Sequence, residues 1–105
     1  MVVKIGEREV EIKFTFNSFK YMVDFDLTMV SELDTKPFLL IPICQKLLLG
    51  ALNSDPKEKV NLTEVENYLK EVVENGDIGE LFIELMKALE ESNFFKVLQK
   101  GKTKK

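Results

Sequence analysis

Residues 38–52, FLLIPICQKLLLGAL, carry only two strongly polar side chains, Gln45 and Lys46, and no other stretch constrains the fold as tightly. A helix that is apolar around its whole circumference has to be enclosed, because any face left in water forfeits the burial that drives folding. Pro42 fits in a first turn, where its missing N–H removes no hydrogen bond, so the pattern predicts a helix over about 40–52 with Phe38 and Leu39 as a packed lead-in. Gly50 reads either as a point of close packing or as the start of fraying. Two arrangements would supply the cover. The segment is a fully internal central helix, or part of its surface, including Leu47 and Leu48, meets another subunit of a homo-oligomer.

The cover has to come from a chain of 105 residues, long enough for one hydrophobic core. A single α+β domain over residues 1–98 is expected, followed by a flexible lysine-rich tail over 99–105. Its β part is at the N-terminus. If Gly6 and Glu7 form a two-residue loop, Ile5 stands opposite Arg8 and Val3 opposite Val10. Val3, Ile5, Val10, Ile12, Phe14 and Phe16 then share one face, and Lys4, Glu9, Glu11 and Lys13 line the other. A lone hairpin is marginally stable in water, so its apolar side needs helices over it, and its two outer edges stay open to pairing.

About four helices follow. Asn17 or Ser18 is placed to cap a helix with Phe19, Met22 and Val23 on one face, and Leu27 to Leu33 reads as a second short helical stretch. After the apolar helix comes a loop through Asn53-Ser54-Asp55-Pro56 to Asn61. Thr63 and Glu66 have capping-box spacing, Val65, Tyr68, Leu69, Val72 and Val73 form a stripe, and Asn75-Gly76 closes that helix. Asp77 with Glu80 repeats the capping spacing before Leu81, Phe82, Leu85, Met86 and Leu89, so the last two helices should pair antiparallel across a very short turn.

The chain has no histidine, and its one cysteine, Cys44, sits among leucines and isoleucines as a small buried side chain more than a reactive thiol. The usual nucleophiles, acid–base pairs and metal ligands are therefore missing, and the expectation is a protein without catalytic residues, cofactor or metal. No apolar run approaches the roughly 20 residues of a membrane span, and strand alternation stands where a secretory signal would be, so a soluble cytoplasmic protein is expected. The formal charge of −3 conceals an asymmetry: all acidic residues precede Ser92, while Lys96, Lys100, Lys102, Lys104 and Lys105 follow it. Residues 1–95 thus hold 10 basic against 18 acidic residues, a body that repels phosphate and makes nucleic acid an unexpected partner.

The order of these parts is informative. A hairpin of the form KIGEREVEIKF, the aromatic stretch from Phe16 to Met22, the apolar middle helix, then LTEVENYLKE and DIGELFIELMKALEES resemble a tail assembly chaperone of long-tailed bacteriophages or prophages. The similarity covers nearly the whole chain, is strongest over Lys4 to Phe19 and Leu62 to Ser92, and departs most between Asp24 and Lys59. The resemblance implies a non-enzymatic helper in the bacterial host cytoplasm that coats the tape-measure protein, keeps it soluble and passes it to tail-tube subunits. It transfers no site residues. From apolarity and position, Phe14, Phe16, Phe19, Leu47, Leu48 and Phe94 are the candidates for partner binding. The alternative is a small acidic inhibitor or antitoxin-like protein that engages a basic partner through Glu64, Glu71, Glu74 and Glu84.

Overall fold

In the computed structural model, which describes residues 1–92, a two-stranded antiparallel hairpin precedes five α-helices and one 3-10 turn. Strands β1 (Val2–Ile5) and β2 (Arg8–Glu11) pair with Val3 opposite Val10 and Ile5 opposite Arg8, the expected register. Gly6 has φ of 64° and Glu7 a negative φ, the sign pattern of a type II′ loop, which needs glycine at its first position. Val3, Ile5, Val10, Ile12 and Phe14 are buried as the alternation predicts. Phe16 leaves that set, because it begins helix α1 (Phe16–Phe19) and the two-residue period no longer governs it.

The other helices are α2 (Leu27–Ser31), α3 (Leu40–Leu52), α4 (Leu62–Glu74) and α5 (Ile78–Glu91), with the 3-10 turn at Pro37–Leu39. The greasy segment is α3, with the expected boundaries, and it is the hub: α1, α2, α4, α5 and β2 all pack on it. Ile43, Cys44, Leu47, Leu48, Ala51 and Leu52 have no exposed surface. Within the chain α3 is largely internal, with Ile41 and Pro42 exposed in its first turn and Gln45, Lys46 and Leu49 half-buried. Helices α4 and α5 are joined through Asn75–Asp77, and each meets α3 more extensively than it meets the other.

Several helix ends differ from expectation for local reasons. The α1 helix is a single turn whose entry is fixed by Thr15, whose N–H donates to Ser18 Oγ at 3.0 Å and whose hydroxyl donates to the Ser54 carbonyl at 2.6 Å. The chain then turns between Met22 and Phe25, burying both and leaving Val23 81% exposed, so Val23 does not share a face with Phe19 and Met22. Helix α4 starts two residues before the expected box, because Asn61 and Glu64 form one instead: Glu64 N–H to Asn61 Oδ1 at 2.9 Å and Asn61 N–H to Glu64 Oε1 at 3.0 Å. Its end is as expected. Gly76 takes φ of 81°, with Asp77 N–H bonded to the Val72 carbonyl and Gly76 N–H to that of Val73, a Schellman arrangement. Asp77 makes no side-chain cap on α5.

Gly50 is a point of close packing. A Cβ there would overlap the Met22 thioether and stand 3.2 Å from the Ser18 carbonyl oxygen, so α1 and the turn after it lie directly on the α3 backbone. Gly50→Ala gains about 1 kcal/mol of helix propensity but overpacks this contact at a cost of about 1–3 kcal/mol. Net destabilisation is the expected result in urea unfolding. A double-mutant cycle with Met22→Ala should return a favourable coupling of about 0.5–3 kcal/mol, and strict additivity would show that the two residues do not collide.

Candidate protein-binding surface

The six sequence candidates scatter between core and surface. Leu47 and Leu48 are wholly enclosed and Phe14 is 6% exposed, so none of the three can meet a partner without the core opening. That corrects the interface assignment for them: α1, α4 and α5 supply the cover the sequence left to a second subunit. Phe19 is half-buried against the core, Phe16 is exposed, and Phe94 lies outside the described residues.

The exposed apolar surface lies mostly elsewhere. Phe38 is 86% exposed, which corrects its assignment as a packed lead-in: in the 3-10 turn Leu39 faces the core and Phe38 points away. Ile41, three residues on, borders a shallow groove of about 280 Å³ between α3 and α4, lined also by Leu69 and Val73 with Glu66, Lys70 and Glu74 around it. A second, larger groove of about 720 Å³ is formed by Met1, α4 and α5, where Tyr68, Leu81 and Ile83 meet the carboxylates Asp77, Glu80 and Glu84. Met1 and Ile83 are more than half exposed there. No sequence signal marks Phe38 beyond apolarity. For Ile83 the cue is its place opposite the Leu81-Leu85-Leu89 stripe, on the water side of an amphipathic helix.

The electrostatics separate the four carboxylates of the inhibitor reading. Arg8 joins the hairpin to the start of α4, with Nη2 2.9 Å from Glu64 Oε2 and Nη1 donating to the Lys59 carbonyl at 3.0 Å. The Asn61 backbone N–H, together with the Arg8 guanidinium, holds the Glu64 carboxyl below its usual range. Glu64 and Glu71 border a hollow beside Lys4, Glu74 borders the α3–α4 groove, and Glu84 borders the groove at Met1. Burial, then the nearby Asp77 carboxylate, pushes the Tyr68 phenol up. Burial pushes the Cys44 thiol up to about 12, so it is inert at neutral pH. Among the described residues no three of His, Cys, Asp and Glu gather where they could hold a metal ion, and no helix is long and apolar enough to cross a membrane.

The arrangement therefore offers reversible protein contact: large apolar side chains set in a predominantly acidic surface. No protein-family model, no curated protein and no solved structure matches this chain.

Proposed function

We propose that the protein is a tail assembly chaperone of a long-tailed bacteriophage or prophage, acting without catalysis to keep the tape-measure protein soluble until tail-tube subunits assemble around it. The observation that carries this reading is the exposure of Phe38 and, three residues on, of Ile41 at the α3–α4 groove, on a body rich in carboxylates. Such a surface binds an apolar helical client transiently, because apolar contact supplies the affinity while negative charge keeps the coated complex from aggregating. The hairpin followed by helices is also the order of elements that the resemblance implies. The inhibitor reading draws less support, because only Glu64 and Glu71 share a hollow, while Glu74 and Glu84 border two others, so the four do not present one phosphate-like array.

The test is co-expression with the tape-measure protein of a long-tailed phage or prophage. The expected result is more soluble client, co-purifying with several copies of this chain and little affected by salt. Phe38→Ser with Ile41→Ser should abolish co-purification at a stability cost of about 1–2 kcal/mol, nearly all of it from the part-buried Ile41, since Phe38 is almost wholly in water. Unchanged client solubility overturns the reading. Tight one-to-one capture of a basic protein that salt disrupts would favour the inhibitor instead.

A further inference from the structure

The outer edge of β1 is unpaired. Ile12 N–H donates to the Met1 carbonyl at 2.8 Å, which makes Met1 and Ile12 a hydrogen-bonded pair, and antiparallel alternation then makes Val3 with Val10 and Ile5 with Arg8 the other such pairs. The N–H and C=O groups of Val2 and Lys4 therefore point away from β2, and nothing among the described residues bonds to them. A trough lies beside this edge. A hollow of about 270 Å³ at Lys4, Ile5 and Gly6 is bounded across from the strand by Glu64, Tyr68 and Glu71 of α4. Tyr68 also lines the groove of about 720 Å³ at Met1, so the two hollows flank β1 from its loop to its start. Met1 and Ile83 are more than half exposed in the trough and Tyr68 is partly so, while Glu71, Asp77, Glu80 and Glu84 border it without an ion pair among the described residues. The outer edge of β2 offers less, because the apolar residues of the hollow beside Glu9 and Glu11 are Val10 and Leu52, both buried.

We propose that β1 is a docking edge for an extended, basic segment of another protein, which adds to the hairpin as a third strand. Residues of the incoming strand paired with Val2 and Lys4 carry their side chains on the solvent face, and the residues between them face the trough. Apolar side chains there cover Tyr68 and Ile83, and flanking lysines or arginines reach Glu71 at one end and Glu80 and Glu84 at the other. Main-chain hydrogen bonds supply the affinity, and the carboxylates select the charge. A second copy fits less well, since its β1 brings only Lys4 and residues 1–92 hold 18 acidic against 10 basic residues. The edge uses the opposite flank of α4 from Glu66, Leu69, Lys70 and Val73 of the α3–α4 groove, so it and the chaperone reading can fail separately.

The experiment titrates the isotopically enriched full chain with a synthetic peptide blocked at both ends, KVTVTVK, and follows the amide resonances. Saturable shifts of the Val2 and Lys4 amides, slower exchange of both with solvent, and shifts at Tyr68 and Ile83 are expected. Methylation of the two threonine backbone nitrogens, which removes the donors that face β1, should weaken binding about tenfold or more. The acidic peptide EVTVTVE should bind the chain, and KVTVTVK should bind the Glu80→Lys, Glu84→Lys variant, roughly fivefold or more weakly. Equal binding of the methylated and unmethylated peptides overturns the proposal, because a strand cannot add without those donors. So do equal binding of the acidic peptide, a response centred on Glu9 and Glu11, and the absence of saturable shifts at millimolar peptide. Shifts of Val2 and Lys4 that grow with protein concentration when no peptide is present would overturn it by assigning the edge to a second copy.

Discussion

Leu47→Ala or Leu48→Ala should each destabilise the protein by about 2–5 kcal/mol, the range for a leucine truncated in a closed core. Both side chains are wholly buried on the helix that every other layer packs against, so the surrounding structure has little room to collapse into the space left behind. Against a total stability of about 5–15 kcal/mol for a small domain, either change removes a large share of it. Urea or thermal unfolding measures the effect, with Tm falling by roughly 4–8 °C per kcal/mol for a chain of this size. The opposite outcome is equally informative. A variant that melts like the parent but no longer self-associates would mean that α3 faces a partner, as the sequence alone allowed. Any loss of client binding in these variants has to be read against the melting data, because an unfolded core abolishes every surface at once.

The parts legible in the sequence were those fixed by a short period or a single residue's backbone needs. Two-residue alternation with Gly6 at the turn sets the hairpin register, and Gly76 sets the end of α4. Composition alone identifies α3, because fifteen residues with two polar side chains admit few other fates. Helix starts were less legible where neighbouring caps compete. Asn61-Glu64 and Thr63-Glu66 have the same spacing, and the selection of Asn61 is supported from outside the helix, by Arg8 reaching across from β2 to Glu64. The binding surface was the least legible part. Apolarity identifies Leu47 and Phe38 equally, but whether a side chain is covered depends on elements far away in sequence, and Phe38 is left in water by a 3-10 turn too short to show a period.

Replacing Asn53 should cost almost as much as opening the leucine core, although the sequence places it at the start of a polar loop. Asn53 is 1% exposed, and its amide joins three backbone groups: Nδ2 donates to the Leu49 carbonyl at 2.8 Å and to the Val60 carbonyl at 2.9 Å, while Oδ1 accepts the Val60 N–H at 3.0 Å. Its own carbonyl accepts from Asn17 Nδ2 at 2.6 Å, so the residue ties the end of α3 to the end of the loop and to α1. Alanine leaves those groups without partners, and a buried unsatisfied polar group costs about 1–3 kcal/mol, so a loss of about 2–4 kcal/mol is expected after partial rescue by water. Asn53→Asp distinguishes this account from a simple change of shape. An ionised carboxylate could still accept from Val60 N–H but would face the Leu49 and Val60 carbonyl oxygens with no proton to give, so burial and repulsion raise its pKa in the folded state. A group whose folded pKa lies above its unfolded value is least harmful below the unfolded pKa, about 4 for aspartate, and its full penalty develops as pH rises through the folded value. The stability gap between Asn53→Asp and the parent should therefore be widest at neutral pH and narrow towards pH 4, whereas the Asn53→Ala gap should show no such titration. Parallel gaps for the two variants across that range would mean that the amide's hydrogen bonds do not hold the loop.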